Sequence, residues 1–487
     1  MAMPTTAYCP YSVLLLFVLL TACGDGGSSP TTPPTPTPPI PVATSVTVSP
    51  TSLSFTAIGE TQQLSATVKD QNGATMASAT VMWSTSDLTV ATPSSSGLVK
   101  SVGVGTATIT AASGSASATG TVEVTLSTAG LWNSINAGYF HTCGVTTEDA
   151  GYCWGDNYTG QLGTGSDTDF TIVPVEVSGG HTWTSINGGA NHTCGMTTDG
   201  SGYCWGANDG GQLGNGLTTD ISHGPDEISG GHTWTSINAG GSHTCGVTTD
   251  GGGYCWGDNS AGQLGNGSDT SSAVPVEATG GHTWTSIYAG GGTTCGVTTD
   301  GGGYCWGTTF SGQLGNGLTN DISHSPVEVS DGHTWTSINA GIGHTCGVTT
   351  DGSGYCWGDN YGGQLGNGSD TGISTVPVEV SGGYTWASIN AGGSHTCGVT
   401  TDGSGYCWGL NVIGQLGNPS TTEITTVPVE VSGGHVWTSS TGAGYHTCDL
   451  TAEGGGYCWG LNETGQVGDG TIISRYTPVK VVTPWDS

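Results

Sequence analysis

The stretch His192-Thr-Cys-Gly-Met-Thr-Thr-Asp-Gly-Ser-Gly-Tyr-Cys-Trp-Gly206 decides the fold, because it returns with small changes seven times along the chain. Its first cysteine recurs as Cys143, Cys194, Cys245, Cys295, Cys346, Cys397 and Cys448, a spacing of 51 residues with a single step of 50. Ten positions after each comes a second: Cys153, Cys204, Cys255, Cys305, Cys356, Cys407 and Cys458. A fixed period of this length means one structural unit per repeat. Between the cysteines, β-branched and apolar residues lead into Asp199-Gly200, the signature of a tight hairpin. Pairing symmetric about Asp199 sets Cys194 opposite Cys204, Thr193 opposite Trp205 and Gly195 opposite Tyr203, with the tyrosine ring expected over the glycine.

Two chemistries fit a histidine and two cysteines at this spacing. His192, Cys194 and Cys204 offer three zinc ligands. The fourth repeat, however, has Thr293 at the histidine position and keeps both Cys295 and Cys305, which a disulfide tolerates and a three-ligand site does not. Seven disulfides within hairpins are therefore expected, with no metal and no cofactor. The column His141, His192, His243, His344, His395 and His446 is expected to hydrogen-bond backbone within its own repeat. A second column, His181, His232, His282, His333 and His435, becomes Tyr384 in one repeat and is expected to pack.

Each repeat continues outward from the hairpin as one phrase, from Trp183-Thr-Ser-Ile-Asn to Gly211-Gln-Leu-Gly214 and a last segment such as Pro174-Val-Glu-Val177. About four short strands per repeat is the content of a propeller blade. The signatures Ile237-Asn-Ala-Gly-Gly-Ser-His243, Tyr254-Cys-Trp-Gly257 and Gly262-Gln-Leu-Gly265 resemble those of the regulator of chromosome condensation family across all seven repeats. That resemblance implies a seven-bladed β-propeller. The seven proline-led strands start at Pro174, Pro225, Pro275, Pro326, Pro377, Pro428 and Pro478, and none precedes Trp132. This phase predicts that Val479-Lys-Val-Val482 closes the ring by completing a blade with strands of the first repeat.

Ahead of the repeats the chain changes character twice. The apolar run Val13–Leu20 followed by Leu20-Thr-Ala-Cys23 reads as an export signal over residues 1–22, and its last four residues resemble the bacterial lipobox, which implies lipidation of Cys23. Residues 23–41, with proline-threonine alternation from Pro30, read as an extended tether. Residues 42–126 show short alternating strands, expected at 45–48, 61–68, 81–84, 105–110 and 121–124. Val81-Met-Trp-Ser-Thr-Ser-Asp87 and Gly105-Thr-Ala-Thr-Ile-Thr110 resemble the group 2 bacterial immunoglobulin-like domain, which implies a β-sandwich acting as a stalk. The whole chain is thus expected to be all-β, with a sandwich followed by a seven-bladed propeller over residues 127–487.

Four Lys and Arg against 36 Asp and Glu give a net charge of −32. Such a field repels phosphates and anionic membrane surfaces, so nucleic acid is excluded as a partner and membrane contact is expected only through the lipid anchor. Carboxylates recur after Gly-Gln-Leu-Gly as Asp167, Asp169, Asp220, Asp269, Asp321, Asp370 and Glu423, one or two per loop, which reads as solvated turn chemistry. No phosphate loop, zincin helix or nucleophile elbow occurs, and no catalytic residue is expected. What varies between repeats is more informative. Tyr158, Phe310 and Tyr361 follow the Trp-Gly turn, and Phe140 and Tyr445 precede the histidine column; exposed aromatics on loops are candidate binding residues. The resulting expectation is a monomeric cell-surface lipoprotein, held on the outer membrane or else secreted, that binds a protein or carbohydrate without catalysis. The alternatives are the nucleotide exchange on a small GTPase that the family resemblance implies, and a polysaccharide-acting enzyme.

Overall fold

The computed structural model of the chain describes residues 39–56, 59–125, 131–166, 168–219, 221–319, 322–419, 422–442 and 444–483. The export signal, Cys23 and most of the tether lie outside the described residues. The chain divides into two compact units, Met1–Leu126 and Ser127–Ser487.

In the first unit a four-stranded sheet runs in the order Ser52–Phe55, Ala116–Val124, Gly105–Ser113, Met82–Thr85. A pair, Ala43–Ser49 with Ser65–Asp70, and a three-stranded sheet built on Leu98–Ser101 complete it. The strand expected over 61–68 is divided. Leu64 turns inward, its N–H bonding the Gly97 carbonyl at 2.9 Å, and the halves on either side join different sheets. Alternation places Phe55, Leu64, Ile109 and Val124 in one core, each 0% exposed.

The second unit is all strand, built as seven sheets of four strands, each drawn from consecutive sequence. Blade 1 is Trp132–Ala137, His141–Thr146, Gly151–Asp156 and Phe170–Glu176; blade 7 is Trp437–Gly442, His446–Thr451, Gly456–Gly460 and Arg475–Lys480. The hairpin register is the symmetric one, with Cys194 opposite Cys204, Gly195 opposite Tyr203 and Thr193 opposite Trp205. The facing cysteines form disulfides in every blade, with Cα atoms 4.0–4.1 Å apart. The ring that fills the space over Gly195 is not Tyr203. A Cβ there would lie 2.6 Å from the Trp183 ring, which comes from the inner strand of the same blade. Tyr203 instead meets Trp183 edge-on at 6.0 Å and lies against His181 at 4.4 Å, so the second histidine column does pack.

The hydrophobic cores lie between blades. The disulfide, Val145, Leu162 and Val177 of blade 1 pack on Trp183, Ile186 and Trp205 of blade 2, and the pattern repeats around the ring. Alternation makes this possible: cysteines point to one face of the hairpin and Tyr and Trp to the other, so each blade offers its disulfide to the tryptophans of the next. Truncating one such tryptophan to alanine costs about 3–5 kcal/mol.

One carbonyl locks each seam. The Gln161 carbonyl of blade 1 accepts from the Thr193 hydroxyl at 2.7 Å and the Trp205 indole N–H at 2.9 Å, both in blade 2. The same clasp closes the ring, because the Gln466 carbonyl of blade 7 accepts from Thr142 and Trp154 of blade 1. This corrects the expected closure by strand exchange. The last strand, Arg475–Lys480, pairs with Gly456–Gly460 of its own repeat, so no blade is shared between the two ends. The C-terminal segment reaches the first repeat through packing instead: Val481, 0% exposed, belongs to the cluster of Trp132 and Trp154.

At one mouth of the central channel the loops between inner and second strands form a collar. The Tyr139 N–H bonds the Gly189 carbonyl, Ala190 that of Gly240, Gly241 that of Gly290 and Gly291 that of Gly341. A Cβ on Gly189 would lie 2.4 Å from the Gly240 carbonyl oxygen, so the close approach of the collar at this seam needs a glycine after the inner strand.

Deleting residues 475–487 removes a full strand and Val481. The expected loss is roughly 3–5 kcal/mol of propeller stability; an unchanged melting temperature would show that the outer strand of blade 7 is dispensable.

Candidate binding face

Strand direction sorts the loops. The inner strand of blade 2 ends at Gly188, the second begins at His192, and Gly206, where the third ends, pairs with His192. The loop entering the second strand and the long loop leaving the third therefore rise from the same edge of the sheet, and the tight hairpins leave from the other. The loops of neighbouring blades interlock on that first face: the Thr159 hydroxyl of blade 1 bonds the Asn191 carbonyl of blade 2, and Thr464 of blade 7 bonds that of Phe140 in blade 1.

Within six of the seven long loops two buried amides, an asparagine and a glutamine, fix the tip. Asn157 accepts the Leu162 N–H at 3.0 Å and donates to the Thr168 carbonyl at 2.8 Å, while the Gln161 side-chain oxygen accepts the Thr159 N–H at 2.9 Å. With Asn157 and Gln161 drawn inward, Tyr158 between them faces solvent and is 80% exposed. The same construction exposes Tyr361 by 70%. In blade 4, where Thr309 replaces the asparagine, Phe310 is 66% exposed. Phe140 and Tyr445, in the shorter loops, are 40% and 39% exposed. All five aromatics stand on one face. Val412 at a tip and Ile342 in a short loop join them, also exposed. Ile342 is a residue the sequence reading missed; its signal is a bulky side chain in a column otherwise rich in glycine. On the opposite face, among the described residues, the exposed large hydrophobic side chain is Val436.

The blades are not equal. Blades 2 and 3 carry Asp209 and Ser260 at the tips and Asn191 and Ser242 in the short loops, so the apolar side chains of the tips and short loops form an arc from blade 4 through blades 5, 6 and 7 to blade 1; farther along its long loop blade 2 does expose Leu217 and Ile221, at 52% and 49%. Tyr139 and Ile342 edge the channel mouth, and Tyr288 stands in the channel where five other blades have asparagine. Those asparagines bridge blades, Asn187 for example donating to the Ile237 carbonyl at 2.8 Å. Asp269, Asp370 and Glu423 are exposed, while Asp167, Asp220 and Asp321 lie outside the described residues. Among the described residues no three His, Cys, Asp or Glu side chains are placed to hold a metal ion.

The histidine column is structural, though not by the expected contact. His192 Nε2 meets the Thr244 hydroxyl of blade 3 at 2.8 Å, and five other histidines repeat this bond, including His446 to Thr142 across the closure. Each threonine hydroxyl already donates to a glutamine carbonyl, so the imidazole Nε2–H is the donor. Burial at 0–1% exposure pushes these imidazoles down, to about 4 for His141, His243 and His395 and to about 3 for His192, His344 and His446. Thr293 bonds the Thr308 carbonyl of its own blade instead. Blade 7 holds the other exception. Asp449 replaces the glycine beneath the tryptophan and pairs in register with Ser440, which replaces the usual isoleucine. It is 1% exposed, neither carboxylate oxygen has a bonding partner of good geometry, and burial raises it to about 8, with the Ser440 hydroxyl and Thr441 N–H pulling partway back.

With this geometry in hand, comparison with known proteins is direct. Models of the regulator of chromosome condensation repeat match residues 132–161, 183–212, 234–263, 335–364 and 386–415 and, in a longer form, 151–196, 199–247, 250–297 and 351–399. The ultraviolet-B receptor UVR8 of Arabidopsis thaliana is 32% identical over 360 residues, 72% of this chain and 70% of that protein. The chain belongs to the regulator of chromosome condensation repeat family. The shorter family repeat passes over blades 4 and 7, the two in which Tyr288, Thr293 and Thr309, or Ser440 and Asp449, depart from the columns. Residues 42–125 match the group 2 bacterial immunoglobulin-like domain. The human E3 ubiquitin-protein ligase HERC2 is 31% identical over 342 residues, which are 67% of this chain and only 7% of that protein. Two solved structures share the fold, each with a TM-score of 0.63: human WBSCR16, at 21% identity, covering 69% of this chain and 94% of that one, and yeast RCC1 bound to Kap60, at 20%, covering 69% and 84%.

Two pH effects of opposite sign follow. A histidine held far below its unfolded value of 6.5 contributes stability present above that value and lost as pH falls through the folded one. At pH 5 each costs about 2 kcal/mol, and six together approach the stability of a domain, so the melting temperature is expected to fall steeply between about pH 6 and 4. Asp449, raised in the fold, destabilises increasingly from its unfolded value of about 3.9 up to about 8. Asp449→Asn is therefore expected to melt higher than the parent at pH 7, by the equivalent of a few kcal/mol, with the gap shrinking toward pH 5. Parallel curves for the two proteins would show that the Asp449 carboxyl is not raised in the fold.

Proposed function

We propose that the protein is an exported, monomeric, lipid-anchored scaffold that binds a protein partner through the loop face of its propeller and performs no catalysis. Lipidated Cys23, the proline-threonine tether and the immunoglobulin-like unit would carry the propeller outside the cytoplasm, on the outer membrane or cell surface. The observation that carries the binding role is the segregation of exposed apolar side chains onto one face, where Tyr158, Phe310 and Tyr361 project from loops that buried amides hold in place. Side chains so exposed contribute little to folding, and aromatic anchors on a rigid scaffold suit recognition of another protein. Membership of the repeat family supports a propeller that works by binding. The opposite face, with its tight hairpins, presents few apolar groups.

Two measurements test this. A membrane-impermeant biotin reagent applied to intact cells is expected to label the protein, and Cys23→Ser is expected to move it from the membrane fraction to the soluble one; a protein that stays unlabelled and cytosolic would overturn the location. Changing Tyr158, Phe310 and Tyr361 together to Ala is expected to abolish capture of the partner without changing the melting temperature.

A further inference from the structure

We infer that the occupant of the loop face is a basic polypeptide segment, seated along the arc from blade 4 through blade 7 to blade 1, with blades 2 and 3 outside its footprint. This rests on the loop-face reading above and names the partner's chemistry.

The charge balance of the face supplies the argument. The chain's four cations are Lys69, Lys100, Arg475 and Lys480. Two lie in the immunoglobulin-like unit, and Lys480 ends an outer strand at the edge opposite the loop face. Arg475 is near the rim of that face, and its guanidinium is engaged by Asp469 and the Thr471 hydroxyl. The arc therefore presents no available cation among the described residues. Exposed carboxylates stand between its apolar anchors: Asp370 in blade 5, Glu423 in blade 6, Glu463 in blade 7 and Asp169 in blade 1. An acidic or neutral partner docking here would bring like charges together or strip these carboxylates of water without return, whereas Lys and Arg side chains pair with them as apolar residues cover Phe310 and Tyr361. The extent of the footprint follows from the tips: Tyr158, Phe310, Tyr361 and Val412 are apolar, while Asp209 and Ser260 in blades 2 and 3 are not, and the exposed Leu217 and Ile221 of blade 2 come later in its long loop, away from the tip.

The probe is a random peptide display library, panned against the immobilised full-length protein at about 0.15 M ionic strength. The expected winners combine Lys or Arg with aromatic or aliphatic residues. Their affinity should fall at least about tenfold in Phe310→Ala/Tyr361→Ala, fall by a similar factor at about 0.5 M salt, and change less than about twofold in Asp209→Ala/Ser260→Ala. Because both aromatics are exposed, the double variant is expected to keep the parent's melting temperature, which excludes misfolding as the cause. Winners free of basic residues, or insensitive to salt, that still need Phe310 and Tyr361 would overturn the basic partner and leave the loop face standing. Winners that bind the double variant as well as the parent would overturn both.

Discussion

A single carbonyl per blade holds this ring together. Gln161 is turned inward by its own loop, and its backbone oxygen receives two donors from the next blade, one hydroxyl and one indole N–H. Each donor is buried, so leaving it unmade would cost the full desolvation of a polar group, about 1–3 kcal/mol. All seven seams carry both bonds. The Gly-Gln-Leu-Gly motif thus does three things at once: it offers the carbonyl, fixes the loop tip through the glutamine amide, and buries Leu162 against the disulfide of its own blade and the tryptophans of the next.

Because every blade is complete in itself, the ends need no exchanged strand. The seventh seam is made by the same Gln466 clasp, the same histidine-to-threonine bond and the same disulfide-on-tryptophan packing as the others. A disulfide between facing cysteines of one hairpin closes only a short loop, so its entropic contribution is modest. Its larger part here is as a compact apolar surface, 0% exposed in each blade, on which two tryptophans rest.

The repeat, the hairpin register and the number of blades were legible in the sequence because they depend on local alternation and on counting. The closure was not, since the phase of Pro478 is equally compatible with a strand lent to blade 1 and one kept in blade 7; side-chain donors to a carbonyl leave no periodic trace. The ring over Gly195 was misassigned because cross-strand pairing names the opposite residue, while the tryptophan arrives from the strand on the other side. The histidines were read as bonding within their own repeat because the period hides the partner: Thr244 is one position after the next histidine, and nothing in the spacing says that the bond crosses a seam. The break of the first-unit strand at Leu64 likewise depends on a contact with Gly97 far along the chain. The aromatics of the loop face were legible as variation, but their gathering on one face required strand direction, and Ile342 required the collar.

Blade 4 shows how constraint and freedom are divided. It lacks the channel asparagine, the seam histidine and the loop asparagine, yet keeps its disulfide, Trp284, Trp306, the Gln263 clasp that receives it from blade 3 and the Gln313 clasp it extends to blade 5. The seam beyond it therefore stands without a histidine bond, on packing, the shared carbonyl and backbone bonds such as Gly291 to Gly341. Six seams carry the additional histidine bond, so that bond is a supplement, and the carbonyl with its two donors is what a blade cannot lose. The same blade places Phe310 on the loop face. Where the ring's supplementary bonds are given up, an exposed aromatic stands at the loop tip, as it does in blades 1 and 5 that keep those bonds. Recognition at the tips is therefore independent of the seams, and side chains there can vary from blade to blade without loosening the ring.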